Sequence, residues 1–249
     1  SETGDRLPPH VYCQAASAYR GLRDHQEAQA MLISGESGAG KTEATKRCLN
    51  YFVKTAKAKF SYEEKDKPKQ GPSSMNVEER ILGSNPILEG FGNAKTNRNN
   101  NSSRFGKWME VYFMREEGCV ELAVAGCGVE DYLLETSRVT DQADGERNFH
   151  IFYQLCAMFK DDDSFGITGV GAESFHYLGS GRRDIIINGT DDKQDMEEML
   201  IAMNDLGFET EEIASLQHIV AALLHCGNIS FQPSEGAGSD GYVVDSSAN

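Results

Sequence analysis

Basic residues are scarce in this chain of 249 residues: 24 Lys and Arg stand against 39 Asp and Glu, giving a formal net charge of -15 at pH 7. Such a surface repels polyanions, which argues against general binding of nucleic acid or of anionic membranes and leaves room only for a local basic patch. Close cysteine pairs are also absent. The six cysteines, at 13, 48, 119, 127, 156 and 226, lack metal-ligand spacing and read as reduced cytosolic thiols, which excludes a disulfide scaffold. No stretch approaches the roughly 18 uninterrupted apolar residues of a membrane span, and the polar start Ser1-Glu2-Thr3-Gly4-Asp5-Arg6 does not read as a secretory signal. The acidic runs Asp161-Asp162-Asp163 and Asp191-Asp192 lack EF-hand spacing and read as solvated turns or helix N-termini. His150, His218 and His225 have no ligand set beside them in sequence and read as structural. There is no internal repeat and no clean linker.

What is present is a core and a loop. Hydrophobic residues make up 39% of the chain, compatible with a packed globular domain. The run Gly35-Glu36-Ser37-Gly38-Ala39-Gly40-Lys41-Thr42 meets every fixed position of the phosphate-binding loop G-x-x-x-x-G-K-[ST]. Those four fixed positions arise by chance in roughly one chain of this length in a hundred. The glycines let consecutive amides turn toward phosphate oxygens, Lys41 supplies a positive charge for the β- and γ-phosphates, and the Thr42 hydroxyl is a Mg²⁺ ligand. The flanks agree with this. Ala30-Met31-Leu32-Ile33 reads as a buried strand, and Glu43 to Lys54 as a helix with Ala44, Cys48, Leu49 and Phe52 near one face. A helix N-terminus after the loop adds its partial positive charge to the phosphate site. A ligand-free Gly/Ser turn is the alternative.

Elsewhere the pattern predicts scaffold. A helix runs from His10 to about Asp24 behind Pro8-Pro9, and Thr55 to Asn76 is a charged surface loop with five lysines. Residues 107–114 and 119–124 read as two antiparallel strands joined around Arg115 to Gly118. Helices are expected at Glu146 to Phe159, Gln194 to Leu206 and Glu211 to Cys226, and a Gly/Ser loop at Ser234 to Ser239. The methionine-rich face of Met196, Met199 and Met203 reads as core in preference to a partner groove.

A second constellation, Asn99-Asn100-Asn101-Ser102-Ser103-Arg104-Phe105-Gly106-Lys107, gathers amides, hydroxyls and cations suited to phosphate, Mg²⁺ and a phosphoryl-transfer transition state. On composition alone a polar turn explains it equally well.

Together, GESGAGKT at 35–42 and NNNSSRFGK at 99–107 resemble the phosphate loop and first switch of the myosin motor domain. The resemblance continues in order through HVY at 10–12, NPILEGFGNAKT at 85–96, YLLETSRV at 132–139, GERNFHIFYQL at 145–155 and HCGNISF at 225–231. Kinesins share an Asn-x-x-Ser-Ser-Arg switch but follow it with Ser-His, whereas Phe105-Gly106 stands here. The resemblance implies an α/β fold with a phosphate-loop NTPase core and flanking helices, an incomplete part of a larger motor domain over 1–249. Its parts would be the phosphate loop 35–42, surface loop 55–76, first switch 99–107 and a helical upper region 145–231. It also implies ATP with Mg²⁺ as ligands, Thr42 and Ser103 on the metal, and Gly35 to Thr42 with Asn99, Ser102, Ser103 and Lys107 around the nucleotide. Lys41, Ser102 and Arg104 would be catalytic: Ser102 positions the lytic water or relays a proton, and Arg104 pairs with a glutamate of the second switch. Partners would be actin filaments and, in the parent protein, light chains, in a cytoplasmic, cytoskeletal setting with membrane contact only through a tail. The Gly145 to Phe149 stretch leans toward class I.

The family's second switch, Asp-Ile-x-Gly-Phe-Glu, is expected after residues 225–231 and does not occur before Asn249; an adenine-contacting Asn-Pro segment is likewise expected upstream of Pro8-Pro9. Asn85-Pro86 is a different element. The expectation is therefore an upstream piece of a motor, with negligible hydrolysis by itself. The alternatives are a myosin-like module that binds nucleotide without turnover and, behind it, a kinesin-like or other phosphate-loop NTPase.

Overall fold

Helix α1, Val11–His25, opens on His10, whose Nδ1 accepts the Tyr12 N–H at 3.1 Å, and closes on Gln26 in the left-handed conformation at φ 59°. It belongs to the first of two units into which the contacts divide the chain, drawn from Ser1–Asn85 and Gly106–Tyr132; the second is drawn from Pro86–Phe105 and Leu133–Asn249. The sequence reading expects one unit, and each of the two has its own buried cluster. The computed structural model describes residues 10–36, 38–55, 77–115, 117–169, 171–179, 186–234 and 241–245. Pro8-Pro9, residues 56–76 of the predicted surface loop and residues 235–239 of the Gly/Ser loop lie outside the described residues.

The first unit contains α1, α2 (Lys41–Thr55), the short α3 (Val77–Gly83) and a long hairpin. The hairpin pairs β3 (Gly106–Met114) with β4 (Ala123–Tyr132), antiparallel from Gly106 opposite Tyr132 to Met114 opposite Ala123, with a register shift at Tyr112 and Phe113. Alternation on β3 sorts the faces. Met109, Val111 and Phe113 turn to a cluster with Tyr19, Leu49, Ile81, Leu122 and Val124, while Trp108, Tyr112 and Met114 are exposed. The Tyr19 hydroxyl accepts the Leu122 N–H at 2.9 Å, and Arg23 Nη1 reaches Glu121 at 3.2 Å, fastening α1 to the start of the second strand.

The second unit begins with α4 (Asn85–Gly92), which runs directly into β1 (Asn93–Thr96) and its antiparallel partner β2 (Asn99–Ser103). Then come α5 (His150–Phe159), α6 (Asp192–Leu206), α7 (Thr210–Gly227) and a small hairpin of β5 (Phe231–Pro233) with β6 (Tyr242–Val244). Residues 150–156 are all buried, so α5 is the central helix, apolar around its whole girth except for His150 and Gln154. Met196, Met199 and Met203 of α6 and Val220, Ala221 and Leu224 of α7 close the same core. The methionine face is therefore core, as expected. Both C-terminal helices have legible caps: Asp191 accepts the N–H groups of Lys193 and Gln194, and Gly207 at φ 91° ends α6. Glu212 Oε2 accepts the Glu209 N–H at 2.8 Å at the head of α7.

Three sequence expectations are corrected. The strand predicted at 30–33 does not form: residues 26–35 carry no regular structure and Leu32 is 93% exposed. An apolar run becomes a strand only beside a partner, and no described strand pairs with it. The predicted strand 119–124 is displaced to Ala123–Tyr132, because the Leu122 N–H is taken by Tyr19 and pairing with β3 continues instead to residue 132. The helix predicted from 146 begins at His150. Arg147 N–H donates to the Lys95 carbonyl at 3.0 Å and Phe149 bridges Ala94, so residues 147–149 extend the β1 edge before the helix can start.

Candidate functional site

The phosphate loop and Lys107 belong to the first unit, and Asn99, Ser102, Ser103 and Arg104 to the second, so each group is described by itself. In the loop, Gly38 and Gly40 take φ values of 81° and 85°, the left-handed region that glycine enters without steric cost. An added Cβ on Gly40 would meet nothing within 4 Å, so the requirement there is conformational. The Ala39 N–H closes the turn on the Glu36 carbonyl at 3.1 Å, and the Ala44 N–H reaches the Gly40 carbonyl at 2.8 Å as α2 begins. Lys41 is the first residue of α2; its Nζ donates to the carbonyls of Gly35 at 2.8 Å and Glu36 at 2.9 Å. Thr42 follows on the same first turn. Ser37 lies outside the described residues. Lys107 stands on β3 opposite Asp131.

The second group is carried by β2 and the residue after it. Asn101 Oδ1 accepts from Asn93 Nδ2 at 2.8 Å and lies 3.2 Å from His150 Nε2, while its Nδ2 donates to Glu89 at 2.9 Å. Asn99 Oδ1 accepts the Asn101 N–H at 3.0 Å, folding the strand's own amides onto its backbone. Ser102 is buried, and its Oγ accepts from Arg104 Nη1 at 3.1 Å. Arg104 is fixed at three further points: its N–H donates to the Gly92 carbonyl at 2.8 Å, its carbonyl accepts the Glu135 N–H at 3.0 Å, and its Nε donates to Glu135 Oε2 at 2.6 Å.

Glu135 in turn is held by Arg138, whose Nε donates to the same oxygen at 2.8 Å. Arg138 is buried, with Nη2 on Glu146 at 2.9 Å and Nη1 on the Arg147 carbonyl at 3.0 Å. Arg147, fully buried, grips both oxygens of Asp192 and stacks over the Tyr153 ring at 3.7 Å. Burial alone would raise the Glu135 carboxyl, but hydrogen bonds from Arg104 and Arg138 outweigh it and hold the group below its ordinary range. Burial likewise pushes against a charged Arg138, and Glu135 and Glu146 override it and keep the guanidinium above its usual value. His150 goes the other way. Burial, aided by the Arg147 charge and opposed by Glu89, lowers it to about 4, so it is a neutral donor to Asn101 at ordinary pH. His218 and His225 bond the carbonyls of Ala214 and Phe165, and among the described residues no group of three His, Cys, Asp or Glu could hold a metal ion.

Residues 1–247 match the myosin head (motor domain) family. The chain belongs to the myosin head family. Its relatives include the unconventional myosin-Ic of Mus musculus, 43% identical over 233 residues, which cover 92% of this chain and 20% of the mouse protein. The myosin IC heavy chain of Dictyostelium discoideum is 43% identical over 243 residues, 97% of this chain and 19% of that protein. The unconventional myosin heavy chain 6 of Caenorhabditis elegans is 41% identical over 226 residues, 91% of this chain and 10% of that protein. The chain thus spans 10% to 20% of the length of these relatives. Membership of the myosin head family separates this chain from the kinesins, as Phe105-Gly106 predicted.

Sequence reasoning did not single out four residues that hold the second group's side chains in place, Glu89, Asn93, Glu135 and Arg138, whereas His150 was read as structural and is a buried hydrogen-bond donor. Each lies inside a stretch that resembled the family, yet none carries a local signature, since Glu135 is 31 residues from Arg104 and His150 is 49 from Asn101.

Proposed function

We propose that this chain is the nucleotide-holding part of an actin-filament motor that hydrolyses Mg-ATP to ADP and phosphate. The observation that carries the reading is the loop at 35–42, with two glycines at left-handed angles and Lys41 heading a 15-residue helix. Its donor set suits a triphosphate: backbone amides at a helix N-terminus, one ammonium now on neutral carbonyls, and the Thr42 hydroxyl. Mg²⁺ would supply charge neutralisation for the phosphates when bound; Thr42 would offer it a hydroxyl from the loop, and the family resemblance alone makes Ser103 a second hydroxyl candidate. Lys41 exchanges its two carbonyls for phosphate oxygens, and Asn99 and Lys107 steady the phosphates. Ser102 holds the attacking water, and Arg104 offers its guanidinium to a second-switch carboxylate. Actin filaments are the track, the setting is the cytoplasmic actin cytoskeleton, and light chains are expected of other parts of such a motor. The excess of acidic residues supports a protein partner over nucleic acid.

A second reading is a module that binds nucleotide without turnover. Titration of a fluorescent ATP analogue with Mg²⁺, followed by steady-state ATP turnover of the full-length protein with and without actin filaments, separates the two. Lys41→Ala, with folding checked by circular dichroism, should weaken nucleotide binding by about tenfold or more, the loss of charge-assisted bonds to phosphate. Equal affinity in a folded Lys41→Ala variant would refute the loop assignment, and tight binding with no turnover would favour the module.

A further inference from the structure

The guanidinium of Arg104 is not free to choose its orientation. Its Nε is bonded to Glu135 at 2.6 Å and its Nη1 to Ser102 Oγ at 3.1 Å, while the Glu135 N–H donates to the Arg104 carbonyl at 3.0 Å. Glu135 can serve as a fixed point because it is anchored from behind. Arg138, 4% exposed, bonds the same carboxylate oxygen at 2.8 Å and is itself held by Glu146 and the Arg147 carbonyl. A guanidinium carries five N–H donors in a rigid fork. With Nε and one Nη1 donor committed, the Nη2 edge stays available, and among the described residues Nη2 has no hydrogen-bond partner.

We propose that Glu135 is the positioning residue of the first switch, orienting Arg104 through Nε so that its Nη2 edge faces an incoming carboxylate while Nη1 fixes the Ser102 oxygen. The proposal rests on the reading that Arg104 and Ser102 take part in ATP hydrolysis. Two side chains with proposed roles are thereby set by one carboxylate. A guanidinium already turned the right way loses no rotational freedom when the site closes, and so contributes to the chemical step without tightening the binding of ATP.

The test uses the full-length protein and single-turnover ATP cleavage beside steady-state kcat and KM, for the wild type, Glu135→Ala, Glu135→Gln, Arg104→Ala and the Arg104→Ala/Glu135→Ala pair. Glu135→Ala should slow cleavage by about tenfold with KM within about twofold of wild type, the signature of lost orientation. Glu135→Gln keeps an oxygen that accepts from Nε and should recover part of that loss. In the Arg104→Ala background, replacing Glu135 should change residual cleavage little, because its effect passes through Arg104. Wild-type cleavage in Glu135→Ala, or an equal loss in both backgrounds, would overturn the proposal. Should Glu135→Ala fail to fold, Glu135→Gln carries the same comparison, with a loss of about threefold expected and wild-type cleavage counting against it. A wild-type protein that does not cleave ATP, or an Arg104→Ala variant that cleaves normally, would instead overturn the functional reading and this proposal with it.

Discussion

Acidification from pH 8 to pH 5 should destabilise the second unit through His150. The residue is 7% exposed, begins α5, and faces two charged groups, Arg147 and Glu89, with Asn101 as its hydrogen-bond partner. Burial is the largest cause of its depressed pKa of about 4, the Arg147 charge adds to it, and the head of a helix is itself unfavourable to a cation. An unfolded histidine takes up a proton near pH 6.5, whereas the folded one does not until pH approaches 4. Between those limits the unfolded state binds more protons, so stability is complete above the unfolded value and declines as pH falls. At about 1.4 kcal/mol per unit the full loss is about 3 kcal/mol, of which about 2 kcal/mol should be gone by pH 5.

The assay is urea unfolding of the full chain followed by far-UV circular dichroism at several pH values, wild type beside His150→Gln. Glutamine can still donate to Asn101 but has no proton to gain. Carboxyls with lowered pKa, such as Glu135 and Asp162, also weaken the fold in acid, but they are common to both proteins and cancel in the difference. Wild-type stability should therefore fall more steeply than that of the variant between pH 7 and pH 5. A constant difference across that range, or a His150 imidazole seen by NMR to titrate near its ordinary value, would refute the reasoning.

Two further outcomes are expected. Gly92→Ala would place a methyl 2.2 Å from the Phe105 ring, directly where α4 hands over to β1, and should cost about 1–3 kcal/mol in urea unfolding; a neutral substitution would mean that the Phe105 ring moves aside freely. Among the cysteines, Cys13 and Cys226 are exposed and should react with a maleimide in the native protein at pH 8, as read by mass spectrometry. Cys156, buried and pushed up to about 12, should react only after denaturation. Native labelling of Cys156 at a comparable rate would contradict the described core.

The elements legible in the sequence were those whose signals are local. Helices α1, α2, α6 and α7 follow apolar periodicity, and the last two also have acidic N-terminal caps, so their bounds fall within a few residues of expectation. The phosphate loop was legible for the same reason, since its glycines and lysine act within eight consecutive residues. The antiparallel hairpin begun at 107–114 was legible, but the extent of its second strand was not. Gly126 and Gly128 weaken the strand signal in the very part of β4 that lies opposite Tyr112 and Glu110, and the apolar run at 30–33 gave a strand signal with no partner to answer it. Glu135 was hidden because its bonds to Arg104, one from the backbone and one through its carboxylate, span 31 residues, which neither spacing nor periodicity encodes.

The cations of the two site groups differ in what a polyanionic ligand can take from them. Lys41 is bonded to two neutral carbonyls, and phosphate oxygens carry more charge, so exchange of its partners is favourable and the loop lysine is ready to move. Arg104 is bonded to a carboxylate that is itself held by a buried arginine. A second carboxylate offers no stronger bond at Nε than Glu135 already makes, so displacing Glu135 gains little, and adding a partner at Nη2 keeps every existing bond. The lysine is therefore expected to answer the nucleotide by moving and the arginine by staying where it is. That difference predicts that Glu135→Ala impairs cleavage, not that it releases an inhibited Arg104. A faster cleavage step in Glu135→Ala, with Arg104→Ala still impaired, would reverse this assignment and make the carboxylate a competitor.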